Sequence, residues 1–333
     1  MPRLLEEGRT AEHAGRFEVA LNAFEELAAM QPNNPQWPLE SVRVLMQLGR
    51  DGEAADAFAR ATARWPGAMA DPGLRALIPG AELNEVNVRN ALGDHCPPDA
   101  ALRRTLLTDD GGAQVQVVRG GRPIVMLVFT GLADRLIMPL SVFDRYLAEL
   151  DVSAIYLRDR LRLAFMGGMP HYGPTYEDAV AGLRKETDLL GAAALHTLGN
   201  SAGGLAAISY GLDLGAASIL GFAAPTDVTD EAVNWDLRSP RFNLRMRDNV
   251  PAARRDLRPR LLSANPRPPI DLWFGEGEPL DVRHARHLEE VQGVRLHPVA
   301  GLAAHGALFE VARNGDLRKA LRERGLAEAG QAA

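Results

Sequence analysis

Residues 193–213 read AALHTLGNSAGGLAAISYGLD, and this stretch decides how the chain is organised. An apolar strand-like run leads into Gly199-Asn-Ser201-Ala-Gly203, and an apolar helical run follows directly. Glycines two residues before and after the serine let a sharply bent backbone pass without a Cβ clash. The stretch therefore predicts a serine held clear of a sheet on a strand-to-helix turn, or else a tight turn without chemistry. A dinucleotide phosphate loop needs the spacing G-x-G-x-x-G, which Asn200 and Ser201 break.

Short apolar runs recur on both sides of this stretch and alternate with helical stretches. Such alternation predicts a doubly wound, mostly parallel α/β sheet. The strand 114–118 alternates and precedes a Gly-Gly pair, which is typical of a hairpin strand. The segment 226–268, here named the inserted segment, lacks strand periodicity and is interpreted as a lid. The predicted strands are 114–118, 124–129, 153–157, 193–198, 217–222, 270–274 and 294–298, and the predicted helices are 138–150, 175–190, 202–213, 282–291 and 306–325.

The serine motif resembles that of the α/β-hydrolase family, and the resemblance covers roughly residues 110–325. In that family the catalytic residues follow in the chain order serine, acid, histidine. The resemblance implies Ser201 as the nucleophile and His305 as the general base, because His305 lies between the last predicted strand and the final helix.

Two carboxylates compete for the role of the acid. Glu278 lies three residues after Gly275, where the family usually places its acid. Asp281 follows three residues later and has the more usual residue type, but its alternative role is the N-cap of helix 282–291. Both remain candidates, with a slight preference for Asp281, because the chain after Pro279 can turn back toward the serine.

The resemblance also implies an oxyanion hole, which is a pair of backbone N–H groups aimed at developing negative charge. These would be the N–H groups of Ala202, just after the serine, and of Leu132, in the loop after strand 124–129. The segment 158–172 follows the end of a strand and should border the site, which makes its polar residues candidates for a substrate rim: Arg158, Arg160, His171 and Tyr172.

The inserted segment is rich in arginine. One interpretation is a basic rim that attracts an anionic substrate. The other, favoured because the chain has only two lysines, Lys185 and Lys319, is a set of solvated faces. The arginines concerned are Arg238, Arg241, Arg245, Arg247, Arg254, Arg255, Arg258, Arg260 and Arg267.

Residues 1–68 carry an internal repeat with a period of 34 residues: Gly15-Arg16, Ala20, Ala23, Phe24, Ala29 and Pro32 recur as Gly49-Arg50, Ala54, Ala57, Phe58, Ala63 and Pro66. This pattern resembles tetratricopeptide helix pairs. It departs from the family in the first helix of each unit, where the usual Leu-Gly pair and the following Tyr are missing. The resemblance implies a docking surface, so a protein partner or self-association through residues 1–68 is expected.

Residues 69–105 are predicted to form a helical linker, and residues 106–333 are predicted to form the hydrolase-like domain.

Composition narrows the classes of function. The chain has 333 residues, 46% hydrophobic and 24% charged, which is the profile of a globular protein. Its formal net charge of −6 gives no reason to expect a nucleic acid as partner. With no leader-like start, no membrane-length apolar run and the single Cys96, a cytoplasmic location is expected. His284 and His287 have a metal-compatible spacing, but a solvated helix face is favoured, and no metal or cofactor is predicted.

The sequence therefore predicts a serine hydrolase that acts by acyl transfer on a small-molecule, acyl or glycan ester or thioester. An acyltransferase would use the same residues. A different class is a non-catalytic adaptor that keeps the hydrolase-like fold as a scaffold and works through its repeats.

Overall fold

The computed structural model describes residues 2–48, 50–67, 85–111 and 113–326. Gly49 of the repeat and residues 69–84 of the predicted linker lie outside the described residues. The chain divides into two compact units, one of residues 1–91 with 108–113 and the other of residues 92–107 with 114–333.

The first unit is built from helical hairpins. Its helices are α1 (Pro2–His13), α2 (Phe17–Met30), α3 (Gln36–Gln47) and α4 (Asp51–Arg64), and α5 (Glu85–Leu92) follows. Gly15 turns the chain between α1 and α2 with φ 71°, and α2 and α4 each end two residues before a proline, as the repeat predicts. Ala20 and Phe24, two of the repeated positions, are fully buried.

The second unit is a seven-stranded sheet flanked by helices. Its strands are β1 (Val115–Val118), β2 (Ile124–Phe129), β3 (Ser153–Leu157), β4 (Ala194–Asn200), β5 (Ser218–Phe222), β6 (Ile270–Gly275) and β7 (Val294–Val299). Its helices are α6 (Leu140–Glu149), α7 (Tyr176–Leu189), α8 (Ala202–Leu214), α9 (Pro240–Asn249), α10 (Leu257–Ser263), α11 (Pro279–Arg286), α12 (Ala307–Arg313) and α13 (Asp316–Leu321).

The strand order is β1-β3-β2-β4-β5-β6-β7. Strands β2 to β7 are parallel, and only the edge strand β1 is antiparallel. Strands β2, β3, β5 and β6 are buried along their whole length, because helices cover both faces of a parallel sheet. The predicted α/β-hydrolase-type fold is confirmed.

The hairpin predicted for β1 is wrong. Strand β1 pairs with β3, with Val115 opposite Leu157, and not with the next strand along the chain. The Gly-Gly turn explains the difference, because it packs on the start of β3. The N–H of Gly120 donates to the Ser153 hydroxyl at 2.9 Å, and a Cβ at Gly120 would lie 2.4 Å from the Asp151 carbonyl oxygen.

Two helices differ from their predicted bounds. The helix expected at 282–291 begins at Pro279, because proline tolerates the first helical position, where no N–H is needed. The helix expected at 306–325 is divided into α12 and α13 by Gly315, which has φ 83°.

Parallel strands place the loops at their carboxyl ends along one edge of the sheet. Strand β4 lies between β2 and β5, so the loop after β4 lies near the middle of that edge.

No helix among the described residues is long and apolar enough to cross a membrane.

Candidate active site

The turn after β4 holds Ser201 in a backbone conformation that few side chains adopt. Its φ is 55° and its ψ is −129°, and its N–H donates to the carbonyl of Phe222 at 2.8 Å. A Cβ at Gly199 would lie 1.9 Å from the Gly203 carbonyl oxygen, and one at Gly203 would lie 2.2 Å from that of Phe129. Both flanking positions therefore require glycine, for the reason that the motif suggests.

The structure brings Ser201, His305 and Asp281 together in one line. His305 Nε2 lies 2.8 Å from Ser201 Oγ. The other ring nitrogen, Nδ1, lies 2.9 Å from Asp281 Oδ1 and 3.0 Å from Oδ2. An imidazole that donates from Nδ1 to a carboxylate presents the lone pair of Nε2 to the hydroxyl, which is the tautomer of a general base.

Glu278, the other candidate for the acid, caps a helix and, within the described part of the chain, forms no hydrogen bond with His305. It is the N-cap residue of α11, and its carboxylate accepts a hydrogen bond from the Leu280 N–H at 3.3 Å. The capping role considered for Asp281 thus falls to Glu278, because the helix begins three residues earlier than predicted. Asp281 lies in the first turn of α11, with its side chain 1% exposed and directed at His305.

Arg238 of the inserted segment is a second partner of the same carboxylate. Its Nη1 donates to Asp281 Oδ1 at 2.5 Å and lies 3.1 Å from His305 Nδ1. Burial opposes ionisation of Asp281, but the hydrogen bond from His305 and the bond and charge of Arg238 outweigh it, so the pKa of Asp281 lies below its usual value.

Arg238 is held in turn by a chain of polar groups. Its Nε and Nη2 donate to Asp236 at 3.0 and 2.8 Å, and Asp236 Oδ2 lies 3.0 Å from His284 Nε2. The Nδ1 of His284 accepts from the Thr226 N–H at 3.3 Å, so the proton of the neutral ring lies on Nε2 and points to Asp236.

The solvated face expected for the histidine pair is therefore wrong. His284 is 1% exposed, and His287 Nδ1 lies 3.1 Å from the Thr226 hydroxyl. Both rings fasten the inserted segment to α11 and the residue after it. The described residues contain no cluster of side chains that could hold a metal ion.

The charge of Arg238 should be visible in the pH dependence of the reaction. The hydrogen bond and the charge of Arg238 both favour the ionised form of Asp281. Arg238→Met removes both, so the pKa of Asp281 should rise, and the acid limb of the kcat/KM profile, where an ionised Asp281 is needed, should move toward higher pH. We expect no such movement in Arg247→Met, which removes an exposed arginine paired with Asp248 in the same segment. Coincident acid limbs in wild type and Arg238→Met would contradict the coupling.

The other described arginines of the inserted segment also have partners inside the chain. Five of them pair with carboxylates, which offsets part of the positive charge of the segment, and the pair of Arg247 with Asp248 is exposed. The partners are Asp248 for Arg247, Glu177 for Arg254, Asp230 for Arg255, Glu290 for Arg258, Asp213 for Arg260, the Leu161 carbonyl for Arg245, and the Leu261 and Gln292 carbonyls for Arg267. The side chain of Arg241 lies outside the described residues.

Ala202 and Leu132, the residues predicted to supply the oxyanion hole, lie directly after Ser201 and in the loop after β2, respectively. Ala202 is the first residue of α8, where the helix itself leaves N–H groups without acceptors. Leu132 lies in the loop after β2, one residue after Gly131. A Cβ at Gly131 would lie 3.5 Å from Ser201 Cβ, so this loop runs against the serine.

Of the four residues predicted for the substrate rim, Arg158 and His171 both hydrogen-bond to Gln114, one through its backbone N–H and carbonyl and the other through its backbone N–H. Arg158 is 1% exposed and donates to Gln116 at 2.9 Å, beneath the edge of the sheet. Tyr172 packs over α7, and the ring of the exposed His171 meets it edge to face at 4.7 Å. Arg160 alone reaches the loop after β2, where its Nη1 donates to Asp134 Oδ2 at 3.0 Å.

The contacts of Arg238 with Asp281 and of Arg160 with Asp134 have no local signal in the sequence. The partners in these two contacts lie 43 and 26 positions apart, and periodicity reports only on neighbours along the chain. The one hint is the low number of acidic residues near so many arginines in the inserted segment.

The sequence model of the tetratricopeptide repeat family matches residues 5–68, which confirms the resemblance of the N-terminal region. No curated protein matches the chain.

Several solved structures are similar to the second unit. The fluorophosphonate-binding serine hydrolase F (FphF) of Staphylococcus aureus is 14% identical, with 64% of this chain and 92% of that chain covered and a TM-score of 0.47. The capsule O-acetyltransferase of Neisseria meningitidis serogroup A is 12% identical, with 62% and 90% covered and a TM-score of 0.46. EstE1, a thermophilic carboxylesterase cloned from a metagenomic library, is 16% identical, with 72% and 96% covered and a TM-score of 0.43. Identities this low describe likeness in fold, and the fold follows from the strand order without them.

Proposed function

We propose that the chain is a serine hydrolase that acts by acyl transfer on a carboxylic ester or thioester. The observation that carries this proposal is the continuous contact from Ser201 Oγ through His305 to Asp281, with distances of 2.8 and 2.9 Å. A buried carboxylate, an oriented imidazole and a strained serine in that order form the arrangement that activates a hydroxyl nucleophile.

The mechanism proceeds in two halves. In the first, Ser201 Oγ attacks the acyl carbon while His305 Nε2 takes the hydroxyl proton, and Asp281 stabilises the imidazolium that forms. His305 then gives that proton to the departing alcohol or thiol, which leaves an acyl group on Ser201. In the second half a water molecule attacks the acyl carbon, His305 takes its proton and returns it to Ser201 Oγ, and the free acid departs.

Negative charge develops on the acyl oxygen in both tetrahedral intermediates. The N–H groups of Ala202 and Leu132 are proposed to receive it. Donors fixed in place before the reaction stabilise such charge without reorganisation, and one of them is typically worth about 10²- to 10³-fold in kcat.

The test is a reaction of the full chain with a fluorophosphonate probe and with neutral esters and thioesters of increasing acyl length. The proposal expects stoichiometric labelling of Ser201 and release of free acid. Labelling together with transfer to an added alcohol in preference to water would instead identify an acyltransferase. A folded protein that neither reacts with the probe nor cleaves any ester would favour the adaptor class.

The repeats are proposed to serve association and not chemistry. A chain lacking residues 1–68 should react with the fluorophosphonate probe within a few-fold of the full-chain rate, because the three residues of the proposed triad all lie beyond residue 200. It should also lose self-association or partner binding, measured as molar mass by light scattering and by pull-down. A truncated chain that stays folded and keeps the mass and partners of the full chain would contradict the docking role.

A further inference from the structure

The loop that carries Leu132 is held in shape by its own hydrogen bonds. The Gly131 N–H donates to the Arg135 carbonyl at 2.9 Å, and the Asp134 N–H donates to the Gly131 carbonyl at 3.0 Å. Asp134 has φ 58° and is 3% exposed. These bonds fold the loop back on itself beside Ser201, but a turn this short can still rotate as a body.

Arg162 joins this turn to the loop after β3. Its guanidinium forms a two-pronged ion pair with Asp134, from Nη1 to Oδ1 and from Nη2 to Oδ2, both at 3.0 Å. Nη1 also donates to the Leu132 carbonyl oxygen. The guanidinium of Arg162 thus contacts the turn at two places, the Leu132 carbonyl and the Asp134 carboxylate. Two contacts restrict rotation of the turn more than a single hydrogen bond does.

The loop that carries Arg162 is itself built to hold it. The buried Asp159 accepts from the N–H groups of Leu161 and Phe165, both at 3.1 Å. Phe165 is fully buried, and its carbonyl accepts from the Tyr210 hydroxyl at 2.8 Å. Arg162 and Phe165 have φ 55° and 63°, a conformation that persists only where the surroundings impose it.

We propose that Arg162 is a positioning residue: by holding the Leu132 carbonyl, in the peptide that follows, and the Asp134 carboxylate, it fixes the turn so that the Leu132 N–H meets the oxyanion on Ser201. The inference rests on the proposed hydrolase function, and it adds a positioning residue to the proposed nucleophile, base and acid. Preorganisation supplies the physical reason. A donor that can swing away stabilises the transition state less, although the substrate binds as before.

The test is the rate constant for fluorophosphonate labelling of the full chain, because the phosphoryl oxygen of the probe occupies the place of the oxyanion. Arg162→Lys keeps the charge and loses the planar fork. We expect its second-order rate constant to fall about 10- to 100-fold, while the final extent of labelling stays that of the wild type. The final extent of labelling measures the fraction of the protein that is folded, whereas the rate constant measures the reactivity of the folded fraction. The two measurements therefore separate an effect on positioning from a loss of folding. The matched control is Arg247→Lys, an exposed pair with Asp248, which should label at the wild-type rate.

Ester kinetics provide the second reading. In Arg162→Lys, kcat should fall by the same factor as the labelling rate constant, with KM changed less than about twofold. An unchanged rate constant, or a fall in extent alone, overturns the inference while the proposed function stands. A wild-type chain that is not labelled and cleaves no ester overturns both.

Discussion

Ser201→Ala should abolish labelling by the fluorophosphonate probe and lower kcat on a short neutral ester about 10⁶-fold, the effect typical of removing a serine nucleophile. Only Oγ is lost, and alanine meets the same unfavourable φ of 55° as serine, so the melting temperature should change little. Labelling is read by intact mass, and turnover by release of the free acid.

The chain offers a matched control for this substitution. Ser209 lies in the helix that follows Ser201, is fully buried, and its hydroxyl has no hydrogen-bond partner among the described residues. Ser209→Ala should therefore label and turn over like the wild type. If Ser201→Ala is still labelled at the wild-type rate, another residue is the nucleophile.

Asp281→Asn should lower kcat about 10³- to 10⁴-fold, because an amide cannot stabilise the imidazolium and favours the wrong tautomer of His305. Glu278→Gln should leave kcat within a few-fold, since it affects a helix cap worth about 1 kcal/mol of stability. Both substitutions preserve size and remove one charge, so kcat and the melting temperature measured on the pair separate an effect on proton transfer from an effect on folding.

Opposite outcomes have definite meanings. If Glu278→Gln loses activity and Asp281→Asn does not, the acid is Glu278, and the contact between Asp281 and His305 is not used in the reaction. Normal turnover in both variants would leave His305 without an orienting carboxylate and would count against the triad.

The parts of the fold that could be predicted are those specified by neighbours along the chain. The run Ile124–Phe129 is continuously apolar because both faces of its strand are covered, and the repeat marks the helix ends with Pro32 and Pro66. The pairing of β1 with β3 could not be predicted, because an alternating strand before a Gly-Gly turn has the same pattern whichever neighbour it joins.

The candidate site divides along the same line. Ser201 could be predicted from the glycines two positions away on either side. His305 could be predicted from its place between a strand and a helix. The choice between Glu278 and Asp281 depended on where α11 begins, and a proline at the first helical position looks in sequence like a turn. The contact of Arg238 with Asp281 spans 43 positions, so only the folded chain shows that this arginine reaches the carboxylate.

The attachment of the inserted segment to Asp281 bears on which molecules could reach the serine. Moving the segment aside breaks the bonds from Arg238 to two carboxylates and separates Asp236 from the buried His284, and a buried charge left without its partner is costly. These contacts therefore oppose any movement of the segment away from Asp281. An acyl compound small enough to enter beside the segment would react at the intrinsic speed of the triad, whereas a bulky one would have to wait for an opening. The strength of these ion pairs would then help to set how fast a bulky acyl compound reacts relative to a small one.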